Sequence, residues 1–308
     1  MTAPARADAQ TQEGRTDVVA PVFIVGCGRS GTTMLFDLLA QHPDLVRTTG
    51  YPDGEDHAGW IEHGQCAMAG IGNVHSNHYG SGITGGGCCL HLTADDASPA
   101  VVDAMRRYYA TTVLHDAPAR RVLNKQPHLS NKLGYLLRIF PDARIVHVIR
   151  DCEPVVASWV DIMGEHPTLV AYLPDEPHPC FWLFPRPEEG PARSALGRDP
   201  RFSIRDGGAA LWTEYWCRVN AGIDAQLAGR EAQRRVVRYE DLVTSPTHTL
   251  AGLTAFCGLA PCDYEVGHLR PDTGTRHAHL LTPATRAAIA RRAHRVREDF
   301  GYRTEAVA

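Results

Sequence analysis

A chain of 308 residues with a formal charge of −4 has room for one large domain or two small ones. The negative balance argues against a nucleic-acid binder, which would carry a basic surplus, and no apolar stretch is long enough to span a bilayer. Nine cysteines, an odd number with no Cys-x-x-Cys pair, favour reduced thiols in the cytoplasm over a disulfide framework.

Residues 1–20 are rich in Ala, Thr, Asp and Gln and lack an apolar core, so a disordered tail is expected ahead of a single domain over 21–308. Val22 to Val25 reads as a buried parallel strand. Gly26, Gly28 and Gly31 then make a tight turn, and Thr32 to Gln41 reads as a helix with Met34, Leu35, Leu38 and Leu39 on one face. Such a turn aims backbone N–H groups and the positive end of a helix at one spot, which suits an anion and most often a phosphate. Gly26, four residues and Gly31 match the opening of the nucleotide loop G-x-x-x-x-G-K-S/T, but Thr32 stands where that loop needs its lysine. The cation is Arg29 instead, whose planar guanidinium forks onto phosphate or sulfate oxygens. Ser30, Thr32 and Thr33 add hydroxyl donors.

Gly54 to Leu92 is a long Gly-rich loop; its His57, His63, Cys66, His75, His78, Cys88, Cys89 and His91 fit no zinc spacing, so no metal is expected. A helix over Ala100 to Val113 follows, then a short strand, Arg121 to Asn124, with Lys125 at its end, and a helix over Asn131 to Phe140. Arg144 to Arg150 is the next strand. Pro154 suits a first helical turn, and Val155, Val156, Trp159, Val160 and Met163 recur at helical spacing. Arg150 thus lies at a strand's C-terminal end with Ser158 on the following helix, a cation and a hydroxyl suited to a dianionic phosphate. Glu165 to Asp206, rich in proline with Phe181, Trp182 and Phe184, is too long for a plain connection and reads as a substrate lid. Ala209 to Asn220 is a helix with an aromatic core face, and the segment from Arg235 reads as strand, turn and a helix opened by Ser245 and Pro246. The Arg- and Ala-rich helix Pro283 to Phe300 reads as a solvated cap. The alternation implies an α/β fold, a parallel central sheet flanked by helices, with ligands beyond the strands' C-terminal ends.

The string Arg29-Ser30-Gly31-Thr32-Thr33 resembles the phosphosulfate loop of sulfotransferases that use 3′-phosphoadenosine 5′-phosphosulfate (PAPS), most closely the bacterial and Golgi members. The resemblance implies a P-loop-like sulfotransferase fold with two long loop insertions, PAPS as co-substrate, no metal, and a small-molecule acceptor bearing a hydroxyl or amine. It implies that Arg29, Ser30, Gly31, Thr32 and Thr33 hold the phosphosulfate, that Arg150 and Ser158 hold the 3′-phosphate, and that Tyr239 of Tyr239-Glu240-Asp241-Leu242 contacts the adenine. Lys125 matches a lysine near the transferring group. Pro127 stands where the cytosolic members place a catalytic histidine, with His128 one place on. At the strict spacing of the base used by the other members stand Thr49 and Gly50, so Glu55 is the expected base, with His57 and His128 as alternates. A carboxylate works as a base near neutral pH when desolvation raises its pKa. Trp60, Trp159, Phe181 and Trp182 are expected to line the acceptor site, and Arg270 and Arg276 are loose candidates for a basic loop over the 3′-phosphate. Self-association as a homodimer is open. The competing readings are a nucleotide kinase or phosphohydrolase, which needs a loop lysine and a strand-end Asp for Mg²⁺, and a non-catalytic nucleotide-binding module.

Overall fold

In a computed structural model the structure describes residues 18–50, 54–64, 92–117, 120–165, 170–172, 180–182, 208–270 and 276–302, with the backbone alone at 57, 61, 163–165, 170–172 and 180–182. Strands β1 (Val22–Gly26), β2 (Leu45–Arg47), β3 (Arg121–Lys125), β4 (Arg144–Ile149) and β7 (Arg234–Arg238) form one sheet in the order β2-β3-β1-β4-β7. Every pairing is parallel, with Val22 opposite both Leu123 and Arg144. β1 is central and buried along its whole length, which is why its sequence is continuously apolar rather than alternating.

The pleat still divides its side chains between two layers. Val22 and Ile24 join Leu123, Val146, Val148 and Val237 beneath Leu35, Leu38 and Leu39 of helix α1 (Thr32–Leu39). Each such leucine contributes about 1.5–3 kcal/mol by leaving water. Phe23 and Val25 face the other way, with Val122, Ile145 and Ile149. That layer is built from α2 (His57–Glu62), α3 (Pro99–Tyr108), α4 (Leu133–Ile139), α5 (Cys152–Glu165), α6 (Ala209–Gln226) and α9 (Pro283–Asp299). Between β7 and α9 lie α7 (Tyr239–Thr244) and α8 (Pro246–Cys257), and Leu250 and Leu253 of α8 pack in the α1 layer. His147, on β4, is fully buried with Nε2 2.9 Å from Asn220 Oδ1, and its ring meets Phe300 edge-on. Desolvation pushes its pKa down from 6.5 to about 4.

Several sequence expectations are revised. The helix expected over Ala100–Val113 starts one residue earlier, where Ser98 accepts a bond from Val101 N, and passes at Tyr109 into a five-residue π turn, Tyr109–Val113. The turn expected after β7 is instead the helix α7, which begins at Tyr239 itself. Strand β2 was not foreseen; three residues give too little pattern to read. Trp60 does not line an acceptor site: it is fully buried against Phe23 and Tyr109, at centroid separations of 6.3 and 6.4 Å. Helix α9 is no solvated cap. It buries Ile289 and Ala293, and its Arg286, Arg292 and Arg297 pair with Glu153, Glu214 and Asp151. Of the expected lid, Glu165 ends α5 and the rest of the described part is an antiparallel pair, β5 (Val170–Tyr172) with β6 (Cys180–Trp182); its other residues, like most of the Gly-rich loop, lie outside the described residues. The expected tail lies outside them up to residue 17, whereas Val18 is buried and Ala20 accepts from Arg121 Nε at 2.7 Å.

Candidate active site

The strand-to-helix turn at 26–31 sits at the C-terminal end of β1. Ser130 clamps its start, its hydroxyl accepting from Gly26 N at 3.0 Å and lying 3.2 Å from Gly26 O. Arg29 adopts φ +71°, a left-handed conformation that a non-glycine residue rarely takes. Gly31 takes φ +90° and caps α1. A methyl added at Gly31 would come within 2.4 Å of the Tyr239 ring, and one at Gly28 within 2.7 Å of the Trp159 ring. Two glycines therefore let two aromatic side chains from distant elements close on the loop backbone. Trp159 also donates from Nε1 to Gly28 O at 3.2 Å and stacks on Trp212 at 4.2 Å between centroids. Ser30 is fully buried, and its hydroxyl meets no hydrogen-bond partner among the described residues.

The second expected anion site meets the first. Arg29 Nε donates to Ser158 Oγ at 3.0 Å, across 129 residues of sequence. The Arg150 guanidinium lies over the Tyr239 ring, 4.4 Å from its centre. The neighbouring acids belong to other cations: Asp151 takes Arg297 and Glu153 takes Arg286. Arg29, Ser30, Gly31, Arg150, Ser158 and Tyr239 thus converge at the C-terminal ends of β1, β4 and β7. Thr32 and Thr33 open α1 beside them.

A third group stands at the end of β3. Lys125 and Glu55 are both buried, and Nζ donates to Glu55 Oε1 at 2.7 Å. His128 Nε2 lies 3.8 Å from Glu55 Oε2. Glu55 immediately precedes Asp56, the N-cap of α2, which accepts from Gly59 N at 3.1 Å and from the Tyr108 hydroxyl at 3.0 Å. Of the expected bases, Glu55 and His128 are together, while the side chain of His57 lies outside the described ones. Arg270 bonds the carbonyls of Gly267 and Leu269 in its own loop. Sequence reasoning missed Ser130, Trp216 and Glu240 as neighbours of the site; each acts through a contact far away in sequence.

The sequence model described as the sulfotransferase family matches residues 21–173, the stretch that holds the Gly-rich loop, Glu55, Lys125 and Arg150. The chain belongs to the sulfotransferase family. It is 30% identical over 146 residues to the nodulation protein NoeE of Sinorhizobium fredii (strain NBRC 101917 / NGR234), a match covering 46% of this chain and 31% of NoeE. The match therefore spans about a third of that relative's length. The fold is that of the sulfotransferase domain from the curacin biosynthetic pathway, at a TM-score of 0.51 and 17% identity over 91% of this chain and 98% of that one. The sulfotransferase domain of the Synechococcus PCC 7002 olefin synthase is similar at a TM-score of 0.52 and 18% identity, over 94% and 98%.

Proposed function

We propose that this protein transfers a sulfuryl group from PAPS to a hydroxyl or amine of a small-molecule acceptor. The observation that carries the reading is the pairing of Arg29 with Ser158 and of Arg150 with Tyr239 at one end of the sheet. A nucleotide with phosphates at both its 5′ and 3′ positions needs two cationic subsites and a flat face beside them. A triphosphate needs its cations along one run, and Thr32 stands where that run takes its lysine. The buried, unpartnered Ser30 hydroxyl supports an anion in the loop, since such a group costs about 1–3 kcal/mol until something accepts from it.

On this reading PAPS, when bound, supplies the sulfuryl group and a phosphate as leaving group. Arg29, the loop N–H groups and the N-terminus of α1 hold that phosphate and offset its charge. Arg150 and Ser158 hold the 3′-phosphate, and Tyr239 offers its ring to the adenine. Lys125 has three N–H donors, of which Glu55 takes one, and the others serve oxygens of the transferring group. Glu55 takes the proton that the acceptor loses, with His128 beside it.

The test is thermal unfolding with 3′-phosphoadenosine 5′-phosphate (PAP). Without added metal, PAP is expected to stabilise by about 2.7 kcal/mol at 100 times its Kd, and ATP with Mg²⁺ by far less. A panel of acceptors with labelled PAPS then reads transfer. Stronger stabilisation by ATP with Mg²⁺ would overturn the reading in favour of a kinase.

A further inference from the structure

The peptide unit that follows Arg150 is held at both ends. Its carbonyl accepts from Trp216 Nε1 at 2.9 Å, and its N–H, that of Asp151, donates to Glu240 Oε1 at 3.0 Å. Glu240 is itself fixed, because Oε2 accepts from the Tyr302 hydroxyl at 2.8 Å. Tyr302 is 5% exposed and lies under the Arg238 guanidinium, 4.4 Å from the ring centre. Burial and the Glu240 charge raise its pKa, so the phenol stays protonated and keeps donating. The Asp151 side chain is forked by Arg297 of α9, Nε to Oδ1 at 2.8 Å and Nη2 to Oδ2 at 2.9 Å. Asp151 Oδ1 also accepts from Cys152 N at 2.7 Å, at the start of the helix that carries Ser158.

We infer that Arg297 and Tyr302 are positioning residues that set Arg150 and Tyr239 to receive the 3′-phosphate side of the nucleotide. The inference rests on the donor reading given above. Arg297 acts on Asp151, one residue after Arg150, and Tyr302 acts on Glu240, one residue after Tyr239. Between them these contacts fix the backbone torsions that aim the Arg150 guanidinium across the Tyr239 ring. Neither residue touches the nucleotide. Preorganised cations are worth more to a phosphate than mobile ones, because the ordering is complete before binding. The geometry also makes the effect selective. Arg150 belongs to the 3′-phosphate, while the loop at 26–31 receives the 5′ side, and among the described residues Arg297 and Tyr302 bond Asp151 and Glu240 rather than that loop.

The experiment is isothermal titration calorimetry with PAP and with adenosine 5′-phosphate, which lacks the 3′-phosphate. The proteins are the unmodified chain, Tyr302→Phe, Arg297→Lys and, as a control on the exposed side of α9, Arg291→Ala. Tyr302→Phe keeps the ring under Arg238 and removes the bond to Glu240. Arg297→Lys keeps the charge and removes the fork. Both are expected to lower the preference for PAP over adenosine 5′-phosphate by about tenfold, the worth of one charge-assisted hydrogen bond, and Arg291→Ala is expected to leave it unchanged. An unchanged ratio in both test variants, or an equal loss for the two nucleotides, overturns the inference and leaves the donor reading standing. If the unmodified chain binds PAP no better than adenosine 5′-phosphate, the donor reading itself falls. Should Tyr302→Phe fail to fold, Arg297→Lys decides alone.

Discussion

Glu55 carries the sharpest expectation at the scale of single residues. Its carboxylate receives Lys125 on one oxygen and faces His128 with the other, so Glu55 and His128 compete for the role of proton acceptor. Glu55→Gln keeps the shape and removes the basic oxygen. Turnover is expected to fall about 10²–10⁴-fold with donor affinity nearly constant, and His128→Ala is expected to be milder. Near-normal turnover in Glu55→Gln, with an inactive His128→Ala that still binds donor, would assign the proton to imidazole. Gly31 offers a second test. Its φ of +90° and the Tyr239 ring against its Cα both exclude a side chain. Gly31→Ala is expected to weaken PAP binding by about 1–3 kcal/mol through strain and displacement of that ring. Equal PAP affinity in calorimetry would take Tyr239 out of the nucleotide's path.

At the scale of elements, what could be read in advance was what a short window contains. The loop at 26–31, the strand end at Arg150 and the helix bearing Ser158 announce themselves because glycine, a lone cation and helical spacing are local signals. Their meeting was inferred only from the rule that ligands sit beyond the C-terminal ends of parallel strands. Three features had no local signal. The Lys125–Glu55 bond spans 70 residues, so each partner was visible and the pair was not. The π turn at Tyr109–Val113 has no sequence signature, yet it follows directly on Tyr108, which reaches Asp56 beside Glu55. Helix α9 reads as solvated because its arginines look unpaired until Glu214, Asp151 and Glu153 are brought to them from other helices and loops.

At the scale of the whole molecule, stability is expected to depend on His147. Its pKa is about 4 when folded against 6.5 for the ordinary side chain. Between those values the unfolded chain binds more protons, so stability rises with pH across that window, is complete above 6.5 and is lost as pH falls towards 4. The full effect is about 3 kcal/mol, of which about 2 is gone by pH 5. Denaturant midpoints at pH 7 and pH 5 should therefore differ more for the unmodified protein than for His147→Gln, and equal differences would remove His147 as the cause. The sheet order carries one more consequence. β1 precedes both of its neighbours in sequence, and Val22 pairs with Leu123 on one side and Arg144 on the other. On the ribosome this apolar strand emerges with nothing to pair with, and contact order is high because every sheet partner is distant. Such a chain folds slowly and late, and it exposes a sticky edge while it waits. A nascent chain stalled soon after Arg150 would hold Arg29 and Arg150 but not Tyr239, so on the proposed reading the nucleotide site is complete only once residue 239 has been made.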